Sequence, residues 1–451
     1  MPDPLIINDK IGRFKKVISV SGDKSISIRW VLLSSLAKGV SNAKNLLLSE
    51  DVLAAIRAVK ILGIKSKITK KGVKIYGKGI KGYNYKRNIT IDARNSGTLG
   101  RLILGLLINT RYPIKIIGDK SLSKRDFSRV IEPLKKIGIN FYPAQKFKLP
   151  IYIKGSDYLR PINYFENRGS AQCKTCIMLA SLNVPGITKI KAKVSRDHTE
   201  KMFRSLNVPL KIKKTDKYDY ITVSRPNFIK KIDFNIPGDI SSAAFFIVLT
   251  LLSKNSKLTI KNININSSRI GVIKILNKMG AKIQFENFKI MNGERCSDIK
   301  VKSIKNLKGI NCPVSLNSAA IDEFLIIFLV AAKSKGISYF NDLSELNQKE
   351  SPRLTIAAKI LKMMGAAEII SRDDYMSEPI KPLDKALYSA AVDTVGGNIL
   401  SKILSHIKPN GIVAACGNAA DIKLNTTVMP FIIRGVKLWG INSVNTSIKR
   451  R

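Results

Sequence analysis

One arrangement recurs along this sequence and limits what the chain can fold into. An amphipathic helix pattern ends in Gly or Asn and runs directly into a short apolar strand. It appears as AVKILGIKSKI around Gly63, PLKKIGINFY around Gly138, FRSLNVPLKI around Asn207, ILNKMGAKIQF around Gly280 and ILKMMGAAEII around Gly365. Gly or Asn suits the left-handed position that closes a helix. A second series is interleaved with the first. The polar segments GDKS (22–25), NSGT (95–98), SAQ (170–172), PGDISS (237–242) and AIDE (320–323) each precede a strongly apolar helix, among them LILGLL, IMLASL, AFFIVLTLL and FLIIFLVAA. Helices apolar on all sides must be buried, and their polar starts are then aimed at a common place. Between the helices lie β-rich runs such as Lys74-Ile75-Tyr76, Ile151-Tyr152-Ile153 and Tyr220 to Val223. The expectation is an α/β chain built from a unit of roughly 70 residues, counted five times.

The start at Ser21 to Arg29, SGDKSISIR, is the densest of these. Two cations and three hydroxyls crowd one helix N-terminus, where free N–H groups and the helix dipole already favour an anion.

Length, charge and cysteine usage narrow the class. A chain of 451 residues, 45% apolar, holds two or three domains with substantial cores. The longest apolar run, Phe324 to Ala332, is about half a membrane span and reads as a buried helix, so no membrane partner is expected. The first residues, Met1-Pro2-Asp3-Pro4, carry no leader signature, which places the chain in the cytoplasm. The net charge of +46 comes from 78 Lys and Arg against 32 Asp and Glu. These lysines spread over the whole chain together with abundant Ile and Asn, the mark of a compositional bias. No nucleic-acid partner is expected, although a basic surface draws small polyanions into a cleft. Five cysteines argue against a disulfide framework. Cys173 and Cys176 form one turn of a buried helix, and no metal site is expected. His198 and His406 are far apart in the sequence and support no catalytic triad.

Eight segments then occur in one order: GDKSIS-x-R, N-x-G-T, GDKSLSKR, SAQ-x-K, SRDHTEKM, PGD-x-SSAAF, IDE and KES-x-R. Over residues 5–370 this order resembles the 5-enolpyruvylshikimate-3-phosphate synthase family. The resemblance implies a two-lobed fold of βαβαββ units, six in the family and five recognisable here. Residues 20–236 would form one lobe, and residues 1–19 with 237–370 a second, truncated one. It implies transfer of the enolpyruvyl group of phosphoenolpyruvate to the 5-hydroxyl of shikimate 3-phosphate, with release of phosphate and without metal or cofactor. By the same resemblance Lys24, Ser25 and Arg29 hold shikimate phosphate, Lys24 reaches phosphoenolpyruvate as well, and Ser170, Ala171, Gln172 and Arg196 complete the cradle. Gly97 lets the backbone approach phosphoenolpyruvate, Arg125 clamps its anionic groups, and Gln172 touches both substrates. Asp322 is the base beside the hydroxyl, Glu350 serves the proton at carbon, and Lys349 and Arg353 add positive charge. A related branch acts on a UDP-sugar and commonly carries a Cys in the loop equivalent to 118–125. The loop here is GDKSLSKR, which favours the shikimate branch. A single chain is expected to act alone, as a monomer.

Departures from the family pattern accompany the matches. Pro352 stands where KES-D-R has Asp, Asp126 follows Arg125 where Pro is common, Ile28 replaces a polar residue, and Leu102 stands where Pro is frequent. The larger departure follows Glu368, where the expected sixth unit, with its G-D-x-R segment and later Lys, has no match. Residues 374–451 instead contain AAVDTVGGNILSKIL, NGIVAACGN and TTVMPFIIRGVKLWGINSV. These are similar to the C-terminal part of medium-chain quinone-oxidoreductase-like proteins of the acrylyl-CoA reductase type. The resemblance implies a partial Rossmann-like βαβ piece joined by gene fusion or artefact. Its upstream phosphate-binding glycine turn is absent, so Gly396-Gly397 reads as a helix start, not a dinucleotide site. The alternatives are an NADPH-dependent reductase working through the tail and a non-catalytic fusion.

Overall fold

The computed structural model describes residues 11–145, 147–348, 351–363, 375–393, 395–417 and 421–441. The chain divides into two compact units, Met1–Ala357 and Ala358–Arg451. The first ends short of the lobe boundary expected at 370.

In the first unit, β1 (Lys15–Ser19) precedes α1 (Lys24–Leu36), β2 (Ala37–Lys44), α2 (Glu50–Ile61), β3 (Lys65–Thr69) and β4 (Gly72–Lys78). Next come β5 (Thr90–Asp92), α3 (Gly97–Leu106), β6 (Ile114–Ile117), α4 (Ser128–Ile137), β7 (Asn140–Gln145) and β8 (Lys148–Lys154). The pattern repeats with β9 (Asn163–Glu166), α5 (Ala171–Ser181), β10 (Ile187–Lys193), α6 (His198–Ser205), β11 (Leu210–Lys214) and β12 (Tyr218–Ser224). After β13 (Ile229–Lys230) and β14 (Asp233–Asn235) follow α7 (Ile240–Leu252), β15 (Lys257–Asn264), α8 (Gly271–Lys278), β16 (Gln284–Met291) and β17 (Glu294–Lys302). The unit closes with α9 (Asn317–Ala320), α10 (Phe324–Lys333) and the start of α11 (Arg353–Met363).

Four sheets share one design, in which a parallel edge strand lies beside the strand that follows the first helix, and an antiparallel hairpin completes the sheet. The orders are β5-β6-β8-β7, β9-β10-β12-β11 and β1-β15-β17-β16, with β13 and β14 both flanking β2 in β2-β4-β3. The edge strands come from distant chain. Lys15 to Ser19 pair with Lys257 to Lys261, and Asp233 to Asn235 pair with Asn42 to Lys44. A crossover of this kind between parallel strands requires a helix, and the apolar helices supply it. Beyond β17 only the isolated bridges Lys308–Lys335 and Asn311–Tyr339 accompany α9 and α10, so the fifth counted unit forms no sheet among the described residues. The helix-closing positions behave as their residue types require, with positive φ at Gly63, Gly138, Asn207 and Gly280, while Gly365 lies outside the described residues.

Two cores result. In one, α1, α3 and α5 are buried, and Trp30 is fully enclosed with its indole N–H donating to the Ile232 carbonyl at 3.1 Å. Truncating such a residue to Ala costs about 3–5 kcal/mol. Cys173 and Cys176 are free thiols inside this core. The other core collects α7, α8 and α10. Here the packing is uneven. Whereas α1 is buried on nearly every side, α7 is apolar throughout yet leaves Phe245 63% and Phe246 42% exposed, along with Leu249 and Leu252.

The second unit is smaller. Parallel strands β18 (Tyr388–Asp393), β19 (Ile407–Ala415) and β20 (Lys437–Gly440) lie in that order, with α12 (Gly397–Ser405) and α13 (Met429–Arg434) between them. Its core is Leu400, Leu404, Ile407, Val413 and Val436. No helix among the described residues is long and apolar enough to cross a membrane.

A contiguous apolar stripe in water favours association. Replacing Phe245 with Ser and Leu249 with Gln together is expected to reduce light scattering on concentration. The unfolding free energy should change by only about 0.5 kcal/mol, as for exposed sites. A large loss of stability would show that these side chains are packed.

Candidate active site

The start of α1 is fixed by its own cap and by the second lobe. Asp23 accepts from the Ile26 amide at 3.0 Å, and the Lys24 amide donates to Asp239 Oδ2 at 3.0 Å. Asp239 itself caps α7, accepting from the Ser241 amide at 2.8 Å. Backbone bonds from Asp23 N to the Pro237 carbonyl (2.8 Å) and from Asp239 N to the Ser21 carbonyl (3.0 Å) hold the two helix starts side by side. The Lys24 ammonium is half-exposed and pairs with Asp51 at 3.1 Å. Ser25 is partly buried on the next position.

Arg29 lies beneath the start of α1. It is 4% exposed, and its guanidinium donates to Thr199 Oγ1 (2.9 Å), Thr175 Oγ1 (3.2 Å) and the Ser25 carbonyl (3.0 Å). Burial lowers its pKa to about 10, against the pull of Glu200 and Asp23, so it is charged at neutral pH. Arg29 therefore ties α1 to α5 and α6 from inside.

The starts of α3 and α5 meet around a group of arginines. Ser96 caps α3 through the Leu99 amide, and Ser170 caps α5 through the Cys173 amide. A Cβ on Gly97 would sit 2.8 Å from Arg125 Nη1 and 3.1 Å from Arg101 Nη1, so only glycine leaves both guanidinia in place. Arg125 donates to Asn95 Oδ1 at 2.9 Å. Arg101 donates to Gln172 Oε1 at 2.9 Å, and Gln172 returns its amide to Thr98 Oγ1 at 2.9 Å. Gln172 is thus oriented by two partners from α3. Arg101 was not singled out from the sequence. The signal was its place one helical turn beyond Gly97.

Asp322 lies between two arginines. Arg196 meets one carboxylate oxygen at 2.6 Å and Arg353 the other at 3.3 Å. The first comes from the loop before α6 and the second from the start of α11, so both oxygens are oriented from separate segments. Lys349 and Glu350 lie outside the described residues. Pro352 sits just before α11 with its carbonyl accepting from the Ile356 amide, a position where a missing N–H is harmless. Asp126 accepts from the Ser128 amide and hydroxyl at the start of α4, while Ile28 and Leu102 are core residues.

A cavity of about 670 Å³ is lined by part of this set, and Lys24, Ser25, Arg29, Gly97, Asp322 and Arg353 are not among its lining residues. Arg101, Arg125, Ser170, Ala171, Gln172 and Arg196 line one side, and Ser268, Lys274, Ser318 and Glu345 the other. The walls are polar, with Arg101, Arg125, Arg129, Arg168 and Arg196 beside Asp126, Asp197, Asp219 and Glu345, and the start of α5 opens toward it, an arrangement that binds anions. Among the described residues no group of three or more His, Cys, Asp or Glu is arranged to hold a metal. His198 is buried with its Nδ1 2.7 Å from Glu294 Oε1, and His406 is held by the Lys402 carbonyl. Gly396-Gly397 does begin α12, but Asp393 already accepts from the Gly396 amide (2.9 Å) and the Val395 amide (3.3 Å).

The fold is that of the enolpyruvyl transferases. The enolpyruvyl transferase NikO from Streptomyces tendae superposes with a TM-score of 0.57 at 12% identity, covering 72% of this chain and 74% of NikO, a likeness of fold alone. The EPSP synthase from Acinetobacter baumannii superposes with a TM-score of 0.71 at 35% identity, covering 78% of this chain and 79% of that enzyme. The family model of EPSP synthase (3-phosphoshikimate 1-carboxyvinyltransferase) matches residues 8–396. A 3-phosphoshikimate 1-carboxyvinyltransferase of Ruthia magnifica is 39% identical over 358 residues, 79% of this chain and 80% of the relative. That of Legionella pneumophila strain Lens is 38% identical over 361 residues, 80% and 82% of the two chains. The chain belongs to the EPSP synthase family.

A buried polar junction lies beside the cavity, where Asp197 ahead of α6 meets Asn266 after β15. Asp197 accepts from Asn266 Nδ2 at 2.7 Å and pairs with Lys201 (3.2 Å) and Lys214 (3.0 Å). Burial opposes its ionisation, yet Lys201, Asn266 and Lys214 outweigh burial and hold its pKa well below the usual carboxylate range. A depressed native pKa contributes stability that is present above the unfolded value near 3.8 and is lost as pH falls toward the native one. Asp197→Asn is expected to destabilise by about 1–3 kcal/mol at pH 7. The deficit, followed by denaturant unfolding, should shrink below pH 4. A deficit independent of pH would contradict this assignment.

Proposed function

We propose that this chain transfers the enolpyruvyl group of phosphoenolpyruvate to the 5-hydroxyl of shikimate 3-phosphate and releases phosphate, a step of chorismate and aromatic amino acid biosynthesis. The observation that carries this reading is Asp322 held by Arg196 and Arg353, in a family member whose adjoining cavity is lined by Arg101, Arg125 and Gln172. Each substrate carries a phosphate and a carboxylate, so the cations and helix starts of the cavity match their charge. The reaction needs a proton delivered to the methylene carbon of phosphoenolpyruvate and a proton taken from the attacking hydroxyl. Asp322 takes the hydroxyl proton, and Glu350 serves the carbon. Lys24, Ser25, Arg29, Ser170, Ala171, Gln172 and Arg196 receive shikimate 3-phosphate, with Lys349 beside the substrate. Lys24, Gly97, Arg125, Gln172 and Arg353 receive phosphoenolpyruvate.

The second lobe, residues 1–19 and 237–370, lacks its third unit in this reading, and turnover is weaker than in complete relatives. The exposed face of α7 and the 79–82% coverage of relatives support this. The segment 374–451 is a fused oxidoreductase-derived piece, supported by its parallel β18-β19-β20 sheet. Asp393 occupies the helix start that a dinucleotide phosphate would need, which speaks against an NADPH-dependent role. In this reading the enzyme works in the cytoplasm as a single chain.

Phosphate release from phosphoenolpyruvate with shikimate 3-phosphate is expected from the purified chain at a rate below that of a complete relative. Asp322→Asn should lower that rate by about 10²–10⁴-fold, as loss of a general base does. Calorimetric affinity for shikimate 3-phosphate should collapse in Lys24→Ala. Unchanged turnover in Asp322→Asn, or undiminished binding in Lys24→Ala, would refute these roles.

A further inference from the structure

One buried arginine that does not line the cavity gathers acids around it. Arg269, in the loop between β15 and α8, is 3% exposed. Its Nη2 donates to Asp239 Oδ1 at 3.2 Å and to Ser241 Oγ at 2.7 Å, and it stands 3.9 Å from Glu323 Oε1. Ser241 in turn donates its hydroxyl to Glu323. Each of these acids serves a helix start. Asp239 caps α7 and grips the Lys24 amide of α1. Glu323 is the cap residue of α10, where its carbonyl accepts from the Ile327 amide, and it directly follows Asp322 in the chain. Asp23, the cap of α1, is fully buried and lies within the field of Arg269. An isolated guanidinium is unfavourable at helix N-termini, whose partial charge is positive. Three acidic residues around one buried arginine reverse that balance. Removing the arginine would leave the acids facing one another without water.

We infer that Arg269 is a positioning residue that gathers the starts of α1, α7 and α10, so that the Lys24 amide end and Asp322 face the substrates in one fixed register. It touches no substrate itself. Its influence passes through Asp239 to Lys24 and through Ser241 and Glu323 to Asp322. Because the substrates are those of the proposed function, the ligand part of this inference rests on that reading.

The test uses the full chain with Arg269→Lys, which keeps the charge but loses the guanidinium fork, and Ser241→Ala, which removes the hydroxyl shared by Arg269 and Glu323. Hydrogen exchange without ligand is measured at the Ile26, Ser241 and Ile327 amides, with Leu99 and Cys173 at the starts of α3 and α5 as references. Exchange at the first three should rise at least tenfold in either variant that folds, while the references stay within twofold. Equal acceleration at all five, or none, overturns the inference. A binding cycle with shikimate 3-phosphate then compares Arg269→Lys, Asp322→Asn and the double variant. The double variant should bind more tightly than the product of the two single losses predicts, because part of the effect of Arg269 passes through Asp322. Independent, multiplying losses would overturn that coupling. If the native chain fails to bind shikimate 3-phosphate, the site reading fails, while the exchange result still decides the role of Arg269.

Discussion

Burial of helices that are apolar on every side is the constraint on which the rest of this protein depends. In α1, α3 and α5 the apolar residues from Ile26 to Leu36, Leu99 to Leu106 and Ile177 to Leu179 leave no face for solvent. Such helices survive only under a cover of sheets, and three of the four sheets of common strand order supply it, the β1-β15-β17-β16 sheet covering the other core. The only parts of these helices free to be polar are their first turns. Asp23, Ser96 and Ser170 take those positions as caps, and the neighbouring Lys24, Gly97 and Gln172 become the elements of a site.

The charges inside the first unit follow from the same constraint. Once helix starts are drawn together, their cap carboxylates and arginines are drawn in too, and each must find a partner. Lys174 is fully buried and is matched by Glu200 at 2.5 Å and Asp219 at 3.9 Å, which ties α5 to α6 and β12. Arg29 is matched by hydroxyls of Thr175 and Thr199. Burial and the adjacent Asp322 raise the pKa of Glu323, against Arg269. Ion pairs of this kind add little net stability, and their value here is register.

Much of this architecture was legible in the residues. The Gly and Asn helix ends, the polar starts and the buried turn of Cys173 and Cys176 all follow from local chemistry that the chain carries within a few residues. Gly97 was legible for the same reason, since a glycine before an apolar helix implies a close approach. What was not legible depends on long-range partners. The partners that Arg29 finds inside the protein, Thr175 and Thr199, arrive from well over a hundred residues away. Arg101 looked like one more cation in a basic chain until Gln172 and Gly97 gave it a place. Asp239 stood in the sequence only as part of the polar start PGDISS, yet its second oxygen holds the amide of Lys24, 215 residues away. The fifth counted unit matched in sequence, but only its helices and two bridges form among the described residues. Strand pairing needs a neighbour to complete it, and helical periodicity does not.

The most direct measurement is a crystal structure of the chain grown with saturating shikimate 3-phosphate. The phosphate should lie at the start of α5 within hydrogen-bonding distance of Ser170 and Gln172, with the ring hydroxyls turned toward Asp322. Ligand density against any other face, or an empty cavity at saturation, would contradict the claim that buried helices aim their polar starts at one substrate site.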